Sequence, residues 1–143
     1  MLHKSIEGQK NTVAVMVNHM AGNMRIRWTN INTYYGEKTS RTRNNEFLIQ
    51  NNSKVTIIEK WESGWYSLFA IIDNLKDSDL SKIVFIRGER HLVIEAINRQ
   101  LAHYSYHIGQ MVFLSKHLLG SDWKSLSIPL NKSEEYNLKK FKK

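Results

Sequence analysis

The six histidines are the residues whose type and spacing point most directly to chemistry. His103 and His107 lie four residues apart in a stretch with helical periodicity, which places both imidazoles on one helix face with Cβ atoms about 6 Å apart. Two imidazoles at that separation can converge on one ion at metal–nitrogen distances of about 2.0–2.1 Å. A firmly held metal needs a third ligand, and His19, on an earlier helical stretch, is the candidate. The spacing therefore predicts a divalent-metal site on His19, His103 and His107.

Each histidine also has an ordinary structural interpretation. The HxxxH spacing arises by chance on helices, and His19 alone is better explained as a half-buried ring bonded to a carbonyl group. His91 precedes the last long helix and suits a capping or surface role, while His3 receives no function. His117 lies about 80° around the helix from His107 and should miss the site.

Tyr104 and Tyr106 flank the two histidines of the last helix, where either one could contact a substrate or a metal ligand. Packing is the more common role for such residues. No carboxylate is placed by spacing near the three proposed ligands, so the sequence names no catalytic acid or base.

Several other chemistries are excluded by residues that the chain lacks. There is no cysteine, which excludes a disulfide scaffold, a thiolate zinc site and a cysteine nucleophile. No nucleophile elbow, P-loop or dinucleotide-binding glycine motif is present. No apolar run approaches the roughly 20 residues of a membrane helix, and the first ten residues lack the apolar core of a secretory signal. We expect no membrane association and a cytoplasmic protein.

The elements that must position these histidines are predicted to be long helices in one domain of 143 residues. One proline and seven glycines leave few breakers, which favours an all-α protein. Apolar residues recur with helical spacing in three stretches, 12–35, 53–75 and 89–119. The remaining segments are a leader over 1–11, a long loop or crossover over 36–53, a small extended segment near 82–87 and a tail over 132–143.

Particular residues mark the ends and faces of these helices. Asn11 or Thr12 is the predicted N-cap of the first helix and Ser53 that of the second, while Gly120 closes the third. In the first helix the predicted buried face carries Val13, Val17, Met20, Met24, Trp28 and Ile31. Arg25 and Arg27 fall off that face. Three such helices predict an antiparallel bundle with one groove left open.

Three segments of the chain resemble the DinB/YfiT-like superfamily of metal-dependent four-helix bundles. They are NHMAGNMRIRW, EKWESGWYSLFAIIDNL and the last long helix with its specific motif HYSYHIGQ, and the similarity extends over about residues 12–135. The resemblance is strongest to a small branch in Firmicutes and related bacteria. It implies a divalent metal held by one histidine of the family's second helix and an HxxxH of its fourth, which fall on His19, His103 and His107.

The resemblance also predicts a missing element. Members of the superfamily begin with a helix of about 25 residues, for which the eleven residues before Thr12 are too few. Either the sequence is truncated or a partner fills the groove. We expect self-association, most simply as a homodimer, because an open apolar groove is an interface by default. A clean monomer in light scattering at micromolar concentration would refute it.

Three functions remain as hypotheses. The first is a metal-dependent transferase or hydrolase, with Zn, Ni, Mn or Fe as the metal. Some relatives are S-transferases, which implies a low-molecular-weight thiol and a small electrophile as partners. The second is a non-enzymatic bundle or scaffold that keeps the fold without activity. The third is a weak nucleic-acid binder that uses the basic tail.

The charge distribution argues against the nucleic-acid hypothesis. The net charge is +8, but the last fifteen residues hold five lysines and two glutamates, so +3 of it lies in the tail. The remaining net charge of +5 is scattered apart from one small cluster at Lys38, Arg41 and Arg43, and a solvated basic surface explains it more simply than a nucleic-acid interface.

Overall fold

The computed structural model describes residues 1–7, 10–29, 43–48 and 52–141 of the chain. These residues are mainly helical, with one small antiparallel sheet. Among them, the helices and strands are α1 (Val13–Trp28), α2 (Arg43–Glu46), α3 (Lys54–Ile72), β1 (Ile83–Ile86), β2 (Glu89–Leu92), α4 (Val93–Leu119) and α5 (Ser133–Phe141).

Threonine and serine side chains define the ends of the first two long helices. Thr12 accepts a hydrogen bond from the Val15 amide and caps α1, and Ser53 caps α3 in the same way, as the sequence predicts. The helix α1 ends at Trp28, earlier than predicted, because Thr29 adopts an extended conformation and its hydroxyl donates to the Arg25 carbonyl. The predicted continuation from residue 30 lies outside the described residues.

The helices α1 and α3 run parallel to each other. Lys60 Nζ donates to Asn18 Oδ1 at 3.0 Å, and one turn further along both helices Gly64 lies against Ala21. A Cβ at Gly64 would come within 3.0 Å of the Ala21 Cα, so a glycine is needed for this close approach. Parallel neighbours require a long connection, which residues 29–53 provide.

The helix α4 runs antiparallel to α1. His19 on α1 meets His107, while Arg27, two turns later on α1, shares a cleft with Arg99, two turns earlier on α4. The predicted antiparallel arrangement therefore holds for α1 with α4 and is wrong for α1 with α3.

The predicted extended segment is a β-hairpin that packs on the core. Val84 and Ile86 are buried while Ile83 and Phe85 point outward, the alternation of a half-buried strand. Because β2 continues to Leu92, α4 begins four residues later than predicted. The Glu95 carboxylate then accepts the Leu92 amide at 2.7 Å and caps the helix.

The core surrounds α1 on nearly all sides. Val17, Met20, Met24 and Trp28 of the predicted face are buried, but the burial extends beyond that face to Ala14, Val15 and Met16, and α1 contacts α2, α3 and α4. Arg27 is also buried, although the sequence places it off the apolar face. The leader is held to this core, since the Ala14 amide donates to the Leu2 carbonyl and Leu2 packs on the apolar cluster at the start of α1.

The outer faces of α3 and α4 expose large apolar side chains. They include Val55, Ile58, Tyr66 and Phe69 on α3, and Leu101 and Phe113 on α4. The helix α5, which contains most of the predicted basic tail, is exposed along its length, and its Lys139 pairs with Glu135. Self-association stays a prediction. None of the described helices combines the length and the apolar character that crossing a bilayer requires.

Candidate metal centre

The antiparallel contact of α1 and α4 brings together the three histidines that the sequence singles out. His19 is buried on α1, and His103 and His107 occupy successive turns of α4. The Nε2 atom of His103 lies 3.3 Å from Nε2 of His19 and 3.1 Å from Nε2 of His107. One ligand atom from each ring lies within 4.8 Å of the other two.

These nitrogen separations fit a shared cation. Nitrogens bound tetrahedrally to one ion at 2.0–2.1 Å lie about 3.3–3.4 Å apart. Hydrogen bonding explains the cluster less well, because an imidazole nitrogen has only one proton or one lone pair in the ring plane. His103 Nε2 therefore cannot make good hydrogen bonds of the same sense to both neighbours. A cation at the meeting point of the lone pairs would satisfy all three rings.

In two of these histidines the other ring nitrogen, Nδ1, is bonded to an acceptor. Nδ1 of His19 lies 3.0 Å from the Glu46 carboxylate, and Nδ1 of His107 lies 2.9 Å from Oε1 of Gln110. Both acceptors fix the tautomer with the proton on Nδ1 and leave Nε2 free to coordinate. Metal-binding histidines almost always have such an outer partner, which orients the ring and raises its basicity.

Glu46 is the carboxylate that the sequence analysis did not place. It comes from the short helix α2, 27 residues after His19, and its side chain is largely buried beside the His19 ring. Gly22, one turn after His19, makes room for it, since a Cβ there would lie 2.7 Å from Oε1 of Glu46. Phe47 packs on the His19 ring with a centroid distance of 4.7 Å.

Burial favours the neutral form of the His107 ring. Desolvation of the ring lowers the pKa of His107, the nearby His19 lowers this pKa further, and the Gln110 hydrogen bond opposes both effects. A lowered pKa means that the Nε2 lone pair is available at neutral pH and that a proton competes with a metal only in more acidic solution.

The remaining histidines lie apart from this point, whereas the rings of Tyr104 and Tyr106 lie beside His103 and His107, with centroid distances of 5.7 and 5.0 Å. His91 is on β2, His117 is exposed near the end of α4, and His3 bonds the Asn52 carbonyl. Tyr106 is exposed, and its hydroxyl accepts from the Gln110 amide. Tyr104 is buried, and its hydroxyl belongs to a separate hydrogen-bond network.

That tyrosine network consists of Trp28, Tyr104 and Asn23. Trp28 Nε1 donates to the Tyr104 hydroxyl at 2.8 Å, and the hydroxyl in turn donates to Oδ1 of Asn23 at 3.4 Å. All three residues are buried, and they link α1 to α4 close to the histidines. The network therefore fixes the helix contact on which the convergence of the histidines depends.

Comparison with known proteins gives one match. Residues 1–132 match a family described as a protein of unknown function (DUF1572). The chain belongs to this family. No curated protein and no solved structure matches it. The part of the chain that matches DUF1572 carries His19, Glu46, His103 and His107 and stops before α5.

Proposed function

We propose that this chain is a divalent-metal protein whose metal is held by Nε2 of His19, His103 and His107. The observation that carries the proposal is the convergence of three Nε2 atoms, at 3.1 and 3.3 Å along the cluster, with Nδ1 of two rings bonded to Glu46 and Gln110. The same three positions follow from the resemblance to the DinB/YfiT-like superfamily. Imidazole ligands suit Zn, Ni, Mn or Fe, and a divalent cation is the class we propose.

The chemistry that we propose is metal-dependent transfer or hydrolysis. A divalent cation held by three neutral imidazoles would lower the pKa of a bound thiol or water and supply a nucleophile near neutral pH. His19 and His103 also line a cleft of about 330 Å³, which gives a small molecule access to two of the ligands. A low-molecular-weight thiol and a small electrophile are the substrates we propose first, as in S-transferases.

Metal analysis of the purified full-length protein tests the site. We expect about one equivalent of a transition metal after incubation and gel filtration. His103→Ala should lose it, while His117→Ala, an exposed histidine of the same helix, should keep it. Equal and near-zero metal in all three proteins would refute the metal site.

The activity needs a separate measurement. Conjugation of a thiol to an electrophile should depend on added metal in the wild-type protein and be lost in His103→Ala. Metal binding without conjugation or hydrolysis would support the non-enzymatic alternative and would leave the metal site standing.

A further inference from the structure

A cleft lined by three arginines adjoins the proposed metal centre. Its walls are formed by His19, Asn23 and Arg27 from α1, Arg99, Gln100 and His103 from α4, and Arg87 from the turn of the hairpin. None of the described residues that line it is acidic. We propose that this cleft binds the anionic group, a carboxylate or a phosphate, of a small molecule whose other end reaches the metal centre. The second half of this proposal rests on the proposed metal site.

The cleft extends from the histidines along the contact between α1 and α4, because its lining residues lie at successive turns of these helices. His19, Asn23 and Arg27 are spaced four residues apart on α1, so they lie on one face at successive turns. Arg99 and His103 have the same spacing on α4, which runs in the opposite direction. Arg27 is therefore about 12 Å along the helix axis from His19. A ligand that spans the cleft would have one end at the histidines and its charge at the arginines.

The polar side chains at the arginine end of the cleft differ in burial. Arg27 is only 4% exposed and Gln100 only 3%, whereas Arg87 and Arg99 are exposed. A guanidinium presents a planar fork of donors that matches a carboxylate or a phosphate, and its attraction for an anion is greater where water is excluded.

Gln100 adds a second requirement on the ligand. Its Oε1 is buried and has no hydrogen-bond partner among the described residues. A buried acceptor without a partner costs free energy on folding, because it loses the hydrogen bond that it makes to water in the unfolded chain. A hydroxyl or amino group beside the anionic group of the ligand would donate to it. The class of ligand that fits is a small carboxylate or phosphate compound that also carries a hydroxyl or amino group. The volume of the cleft is typical of a site for a small ligand.

The backbone at Arg87 gives independent support. Arg87 and Gly88 form the two-residue turn between β1 and β2, with φ of +52° and +82°. Positive φ at both positions favours asparagine or glycine at the first one, so an arginine there is conformationally costly. Side chains held in such conformations cluster at functional sites. Asparagine would suit the turn better but would bring no charge to the cleft.

The test measures anion binding by calorimetry with the full-length protein, using inorganic phosphate and succinate as probes at constant ionic strength. Binding is measured in metal-free protein and again after loading with Co²⁺. The variants are Arg87→Asn and Arg99→Gln, and the control is Arg90→Gln, an exposed arginine of the same hairpin that does not line the cleft. Circular dichroism confirms that each variant is folded.

We expect saturable binding that each cleft variant weakens roughly tenfold, the effect of losing one charge-assisted hydrogen bond, and that the control leaves unchanged. Arg87→Asn should at the same time raise the midpoint temperature of unfolding, because asparagine adopts the positive φ of this turn at a lower cost than arginine. Binding of phosphate alone or of succinate alone identifies the anion. No saturable binding of either probe, or equal weakening by Arg90→Gln, would overturn the proposal.

The same experiment separates the two proposals. Anion binding without cobalt uptake would refute the metal centre and leave the anion site standing. Cobalt uptake without anion binding would refute the anion site alone. If a bound probe contacts both the arginines and the metal, it should also change the visible spectrum of the cobalt-loaded protein, and Arg99→Gln should weaken that change.

Discussion

Two polar clusters connect α1 and α4 within one turn of each other, one buried and one half-buried, and their polar atoms are arranged differently. In the tyrosine network each contact pairs a donor with an acceptor, from Trp28 through Tyr104 to Asn23. In the histidine cluster three nitrogens of the same kind face one another. The first pairs donors with acceptors of the protein itself, whereas we propose that the second holds a cation.

The comparison shows how one helix contact can serve both stability and chemistry. A satisfied network of neutral groups fixes the register of two helices, and that register then determines where the histidines meet. Mutations in the two clusters should therefore have separable effects, one on unfolding and the other on metal affinity.

The largest expected effect is the loss of metal in His103→Ala. His103 Nε2 is the central atom of the cluster, within 3.3 Å of both other ligands. We expect metal affinity to fall by more than about 100-fold, beyond the range of outer-partner mutations. Competition with a chromophoric chelator measures it, and His117→Ala is the control. If His103→Ala retained wild-type affinity, the histidine cluster would be only structural.

The next largest effect is on stability, from Tyr104→Phe. This change removes a buried hydroxyl that accepts from Trp28 and donates to Asn23. We expect the free energy of unfolding to fall by about 1–3 kcal/mol, measured by urea denaturation of the metal-free protein. Metal affinity should change much less than in His103→Ala. A loss of metal without a loss of stability would contradict the division between the clusters.

Glu46→Gln should weaken metal binding without removing it. Glutamine keeps an oxygen for Nδ1 of His19 but loses the negative charge that the carboxylate brings to the site. We expect the affinity to fall roughly tenfold, as for other outer partners of metal ligands. The matched control is Glu62→Gln on the exposed face of α3, which should have no effect.

The smallest effect tests the space beside Glu46. In Gly22→Ala the new Cβ would meet the Glu46 carboxylate at 2.7 Å and push it from His19. We expect metal affinity to fall roughly threefold, a part of the cost of losing the outer partner. Gly109→Ala on α4 is the control, because nothing lies within 4 Å of its Cβ. It should leave metal affinity unchanged and stabilise the protein by about 0.5–1 kcal/mol.

The features that could be predicted from the sequence are those that depend on residues close together along the chain. Helix starts at Thr12 and Ser53 were predictable because a cap bonds an amide three residues away. The start of α4 was placed too early because β2 is fixed by pairing with β1, and the apolar residues that begin α4 do not reveal where a strand ends. The burial of Arg27 could not be predicted for a similar reason. Periodicity identifies the apolar face of a helix, but it does not show how many other elements pack around that helix.

The sequence by itself determined the local chemistry of this protein: three long helices, a hairpin run, and an HxxxH pair whose spacing places two imidazoles on one face. Only the tertiary structure decided that His19 reaches them, that Glu46 and Gly22 fit together behind it, and that Arg27, Arg87 and Arg99 line one cleft. The physical reason is distance along the chain. A helical period constrains residues three or four positions apart, whereas groups separated by 27 or 84 residues meet only through the packing of whole helices.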